Sequence, residues 1–167
     1  MTTNEILETL KQKLISEDKV VVMVVGLPSS TRTKLVDRIT TECKEFEVIS
    51  TNEIIDSLTK SSKDNNDITI TKAKGILDYR FTHHSDKVLI DMVNLKKTIR
   101  TNTLSNFPNF YKIAIQIIYP IDNTIAENNE NDPNNIVPPH IMMSLSQQFD
   151  IISRNDGEFD LLINLTD

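Results

Sequence analysis

Two patterns of apolar residues take turns along this chain. Ile6, Leu7, Leu10, Leu14 and Ile15 recur at helical spacing between Asn4 and Ile15, with Asn4 as the cap, and predict a short amphipathic helix packed on its own sheet. After the turn SEDK comes Val20–Val25, an unbroken, mostly β-branched run of the kind that forms a parallel strand buried on both faces. Gly26 turns the chain, a helix opens near Arg32, and Thr33–Cys43 continues it. Phe46–Ser50 reads as the next strand, Asn52 as the cap of a helix through about Leu58, and KSSKDNND as a loop. From Ile68 to about Arg80, Ala73, Ile76 and Leu77 share a helical face that Gly75 interrupts. Lys87–Asp91 is a short strand ending in a carboxylate, Leu95–Leu104 a helix, and Tyr111–Tyr119 the longest strand. A polar, Asn-rich segment then leads to Pro138 and Pro139, a helix over Ile141–Phe149 and a last strand over Phe159–Leu165. Strands alternating with helices in this way predict an α/β sandwich on a five-stranded, mostly parallel sheet.

The 167 residues fit a single domain spanning 1–167, whose first 18 residues hold the N-terminal amphipathic helix. A net charge of −6 excludes a protein that coats nucleic acid by bulk charge and leaves room only for a local basic groove. The single Cys43 excludes an internal disulfide and a Cys-based zinc site, and reads as a small apolar residue on its helix. There is no apolar run near the roughly 20 residues of a membrane span, and MTTNEILETL lacks the basic and apolar regions of a signal peptide, so the expectation is a cytoplasmic protein with no membrane partner. Heavy use of Asn and Ile without Trp is compatible with an AT-rich coding genome, viral or otherwise; for a viral protein the location is host cytoplasm or virion. His83 and His84 read as a surface pair, and Met142, Met143, Leu145 and Phe149 as packing on the last helix.

The turn after the first buried strand carries the candidate chemistry. It reads Gly26, Leu27, Pro28, Ser29, Ser30, Thr31, Arg32, Thr33, and resembles the phosphate-binding loop G-x-x-x-x-G-K-[ST]. In that loop backbone N–H groups and a helix N-terminus cradle phosphates, a Lys reaches the outer phosphates and a hydroxyl holds Mg²⁺. The first Gly and the final hydroxyl stand here, while Thr31 replaces the second Gly and Arg32 the Lys. An ordinary strand-to-helix connection capped by Ser or Thr is the alternative reading of the same turn.

Taken with the order of strands, the chain from about Lys19 to Leu165 resembles the polynucleotide-kinase-type branch of P-loop kinases, which contains phage 5′-hydroxyl polynucleotide kinase and the kinase modules of RNA ligases. KVLIDMVNLKKTIR is similar to that family's apolar strand followed by D-x-T-N and an Arg, with Asp91, Asn94 and Arg100 in place and Val93 for the Thr. FDIISRNDGEFDLLINL is similar to its closing segment, with Gly157, Phe159 and Asp160 in place. The resemblance implies the sheet order Phe46, Lys87, Val20, Tyr111, Phe159, with a ligand at the strand carboxyl ends. It also implies ATP and Mg²⁺ as cofactors, a cradle made of Gly26, Ser29, Ser30, Thr31, Arg32 and Thr33, and Thr33 and Asp91 as metal ligands. A site with no cofactor is the alternative.

Several requirements of phosphoryl transfer are altered. A β-branched Thr31 costs backbone freedom that Gly supplies, and the bulk and planar fork of Arg32 do not replace a Lys point charge in a narrow loop. The family's general base aligns with Asn52, which takes no proton at neutral pH; Glu53, the remaining candidate, lies one residue and about 100° around the helix. The lid-like segment 121–138 carries Glu127, Asn128, Glu130 and Asp132 where the resemblance wants arginines. For Arg100, contact with a phosphate and pairing with a neighbouring acid are both open, and Asn94 is expected to cap the helix from Leu95. The reading that follows is a degenerate, pseudokinase domain acting by binding, with a protein as partner and weak or absent nucleotide binding. An active ATP-dependent kinase on a nucleotide or nucleic-acid hydroxyl, with Glu53 as base, and a non-catalytic nucleotide sensor are the alternatives. Nucleic acid enters as a substrate only in the kinase alternative.

Overall fold

The computed structural model describes residues 1–61, 66–125 and 137–166. The elements, in chain order, are α1 (Thr3–Ser16), β1 (Val20–Val25), α2 (Ser30–Glu42), β2 (Glu47–Ser50), α3 (Thr51–Ser61), α4 (Asn66–Thr82), β3 (Lys87–Asp91), α5 (Lys97–Leu104), β4 (Tyr111–Ile117), a helix over Pro139–Gln147, a short 3₁₀ turn at Arg154–Asp156, and β5 (Leu161–Leu165). The five strands form one sheet in the order β2-β3-β1-β4-β5, and all four pairings are parallel. This is the order expected from the sequence.

The central strand explains why its sequence does not alternate. Val20, Val22 and Val24 pack with Ile6, Leu7 and Leu10 of α1 and Leu35 and Ile39 of α2 on one side of the sheet. Val21, Met23 and Val25 face Phe81, Leu104, Phe107 and Phe110 on the other. With helices on both faces every position of β1 is inside, so each is apolar. Cys43 belongs to the α1–α2 side of this core.

Several boundaries differ from the sequence expectation for local reasons. Helix α1 is capped by Thr2, not Asn4: the Thr2 hydroxyl accepts from the Glu5 N–H while the Glu5 carboxylate accepts from the Thr2 N–H. The last helix begins at Pro139, a residue suited to a first helical position, and Met143 on it is 53% exposed and not a packing residue, whereas Met142 is fully buried. Helix α4 starts earlier than Ile68, and the Ile76 expected on its inner face is exposed. His84 is half-buried, its ring stacked on Phe107 at 4.3 Å between centroids, while His83 stacks on Tyr79 at 4.2 Å. Among the described residues no helix is long and apolar enough to cross a membrane.

Candidate phosphate site

The loop between β1 and α2 sits at the carboxyl end of the central strand, beside the ends of β3 and β4. Gly26 donates its N–H to the Val93 carbonyl at 3.1 Å. A Cβ at this position would lie 2.9 Å from the Ile117 carbonyl oxygen and 3.1 Å from the Ile117 Cβ, so glycine is required by the close approach of β4. Ser29 has extended backbone and its hydroxyl accepts from the Arg32 N–H at 3.1 Å, which places the helix start at Ser30, two residues before the expected opening. Ser30 and Thr31 are the first two residues of α2. Only Asn94 and Asn109 among described non-glycine residues have positive φ, so Thr31 replaces the family's Gly without the backbone cost expected of a β-branched residue.

Arg32 does not point out toward a ligand. It is 8% exposed, and its Nη2 donates to Asp91 Oδ1 at 2.7 Å and to the Met92 carbonyl. Burial pushes the guanidinium below its ordinary pKa while the Asp91 carboxylate opposes that shift. The other carboxylate oxygen, Asp91 Oδ2, is 3.5 Å from the Ser50 hydroxyl at the end of β2. Among the described residues, the buried Arg32 Nε meets no hydrogen-bond acceptor. An orphaned buried donor costs about 1–3 kcal/mol, so the guanidinium is held by one strong, charge-assisted contact and left incomplete at another.

This arrangement bears on whether Mg²⁺ fits. Thr33 Oγ1 donates to the Ser29 carbonyl at 3.2 Å, back along its own helix. Of the two expected metal ligands, Asp91 is thus already paired with a cation, whereas Thr33 donates its proton along its own helix and keeps its oxygen lone pairs. Mg²⁺ demands oxygens at about 2.0–2.1 Å in an octahedron, and here it would have to share Asp91 with a guanidinium. As arranged, the residues do not fit the metal.

The candidate bases open the helix capped by Ser50, whose hydroxyl also reaches Asp91. Helix α3 follows β2 without an intervening loop, and the Ser50 hydroxyl, not Asn52, caps it by accepting from the Glu53 N–H at 3.4 Å. Asn52 and Glu53 are both exposed on the first turn of α3. The acidic positions Glu127, Asn128, Glu130 and Asp132 lie outside the described residues. Beside the loop lies a concavity of about 280 Å³ whose walls include Leu27, Ile117, Tyr119, Ile121, Phe149 and Ile151.

Asn94 and Arg100 serve the fold. Asn94 does not cap α5, whose cap position is Lys96; it adopts φ 51° and donates from Nδ2 to the Val24 carbonyl at 2.9 Å and the Met92 carbonyl at 2.8 Å. It thereby ties the ends of β1 and β3 together, although its buried Oδ1 has no partner among the described residues. Arg100 is 1% exposed, donates to the Asn94 and Leu95 carbonyls from Nη1, and pairs with Glu158. Sequence reasoning passed over Ser50 and Glu158. Glu158 stands between Asp156 and Asp160, so nothing local singles it out as the partner of Arg100.

No protein-family model and no curated protein matches this sequence. Solved structures do match. A gluconokinase from Sinorhizobium meliloti 1021 superposes with a TM-score of 0.62 at 10% identity, covering 90% of this chain and 85% of the other. Kti12 from Chaetomium thermophilum, solved in complex with ADP-AlF3, superposes with a TM-score of 0.60 at 15% identity, covering 87% and 88%. With the strand order, the turn at Gly26 and the helix that follows it, these similarities establish that the chain has the P-loop kinase fold.

Proposed function

We propose that this domain is a degenerate member of the polynucleotide-kinase type, acting by binding and not by phosphoryl transfer, with another protein as partner and little or no affinity for ATP–Mg²⁺. One observation carries the reading: the guanidinium that replaces the P-loop Lys is buried against Asp91, the carboxylate that a metal would need. Phosphoryl transfer depends almost wholly on positioned cations around the moving group, and here the cation and its counter-ion neutralise each other. The absence of a carboxylate at Asn52 and the exposure of Glu53 on α3 agree with it. The net charge of −6 supports a protein over a nucleic acid as partner.

The test is calorimetric titration with ATP–Mg²⁺, followed by incubation of γ-labelled ATP with 5′-hydroxyl oligonucleotides. The expected outcome is no saturable heat up to millimolar ATP–Mg²⁺ and no label transfer. Label transfer abolished by Arg32→Ala would establish the active-kinase reading instead.

A further inference from the structure

The two edges of the sheet are built differently. At β2 the edge is covered: Arg80 of α4 donates to the Val48 carbonyl at 2.7 Å and pairs with Glu47, whose carboxylate also accepts from the Ser85 N–H. At β5 neither a charged residue nor a proline stands between Leu161 and Leu165, although these are the usual means by which an edge is kept from pairing. We propose that the outer edge of β5 takes an extended segment of another protein as an added strand. This rests on the reading above, in which the domain acts by binding a protein, and gives that partner a form.

The backbone groups of this edge are only partly paired. Met1 occupies its far end: the Met1 nitrogen donates to the Asn164 carbonyl at 2.7 Å, and the Met1 carbonyl accepts from the Thr166 N–H at 3.1 Å, the pattern of a parallel bridge opposite Leu165. Alternate residues of a strand turn their amides to the same side. The Leu162 N–H and C=O and the Asn164 N–H therefore face outward as well, and nothing among the described residues pairs with them. Donor, acceptor and donor at strand spacing are the complement of a second main chain. Beside them lies a concavity of about 330 Å³ whose walls include Ile152, Arg154, Phe159, Asp160, Leu161 and Leu162. It gives an apolar side chain of the added strand a place to sit.

A second copy of this chain fits the edge less well. Pairing β5 with its own copy about a two-fold axis runs each strand toward the other's Met1, which sits on the very edge that the pair needs. A separate segment can end before Leu165.

The probe is a peptide of alternating threonine and valine, blocked at both ends and titrated into the whole chain while amide hydrogen exchange is followed by NMR. In the free protein the Leu162 and Asn164 N–H groups are expected to exchange roughly tenfold or more faster than that of Ile163, which faces β4. Saturable binding of the peptide is expected to slow both by about tenfold. The same peptide N-methylated at every residue, which has lost its donors, is expected not to bind. Asn164→Pro removes one outward N–H and leaves the ladder to β4 intact, so it is expected to weaken binding by roughly fivefold or more; its thermal unfolding reports whether the variant is folded.

No saturable binding up to millimolar peptide, or protection of the Leu162 and Asn164 N–H groups in the free protein, would overturn the proposal and leave the loss of ATP–Mg²⁺ binding standing. A concentration-dependent dimer in light scattering that Asn164→Pro dissolves would overturn it in favour of a second copy. Saturable ATP–Mg²⁺ binding together with peptide binding at β5 would overturn the nucleotide-free reading and leave this edge assigned.

Discussion

Arg100 and Glu158, 58 residues apart in the chain, meet as a two-point ion pair, with Nε to Oε1 at 2.7 Å and Nη2 to Oε2 at 3.2 Å. Their side chains are 1% and 5% exposed, so the pair is sealed from water. It joins the segment after β3 to the turn before β5, and so sets the position of the last strand relative to the loop that carries Asn94. Breaking a buried pair from one side leaves the other charge uncompensated, which costs about 3–5 kcal/mol. Glu158→Gln is therefore expected to lower the urea midpoint strongly. Arg100→Met with Glu158→Leu is expected to recover most of that loss. Denaturation of Arg100→Met, Glu158→Leu and the double variant gives the coupling directly.

Gly26 is expected to be intolerant of even one methyl group. A Cβ there meets the backbone of Ile117, which cannot rotate away, so Gly26→Ala must push the end of β4 from β1. The expected loss is about 1–3 kcal/mol, the usual cost of overpacking, measured by chemical denaturation.

At Asn94 the left-handed backbone and the side-chain bonds separate by substitution. Asn94→Ala loses both donations, to Val24 and Met92, and keeps a Cβ at φ 51°. It is expected to cost about 2 kcal/mol or more. Asn94→Gly loses the same bonds but not the backbone preference, and should be about 1 kcal/mol less damaging than the alanine. Asn94→Asp, which turns an acceptor toward two carbonyls, should be the worst of the three. Thermal unfolding of the three proteins ranks them.

Acid should loosen the start of β2 through Glu47. Burial raises the pKa of this carboxyl, but the Ser85 N–H and the Arg80 guanidinium outweigh it and leave the group below its ordinary value of 4.5. A depressed carboxyl contributes stability above the unfolded pKa, and that contribution disappears as pH falls through the folded pKa. Native protein is thus expected to be more stable than Glu47→Gln at neutral pH, with the gap closing below about pH 4.5. Urea melts of both proteins across the acid range check the sign.

The pairing of the two motif segments shows how far sequence reading reached. Gly157, Phe159 and Asp160 marked the closing segment, and Asp91, Asn94 and Arg100 marked the other, yet nothing in their spacing says that Arg100 turns inward to Glu158. By sequence Asn94 is expected to cap the helix from Leu95, because Asn before a helix usually does. Its side chain instead answers the carbonyls of Val24 in β1, 70 residues earlier in the chain, and of Met92 just past β3. Thr31 raised an objection that rested on a left-handed loop, and the helix starting at Ser30 removes it.

Periodicity alone determined the strands and their flanking helices, because an unbroken run such as Val20–Val25 is stable only when both faces are covered, while the order of the strands came from the family resemblance. Residue identity alone determined that Thr31 and Arg32 stand where the phosphate-loop pattern has its second Gly and its Lys. Where the replacement goes was a tertiary matter. A guanidinium on α2 has enough reach either to face a ligand or to fold back, and it folds back because Asp91, brought alongside by the β1–β3 pairing, presents a carboxylate at 2.7 Å. That choice depends on a contact across 59 residues of chain, which no local pattern encodes.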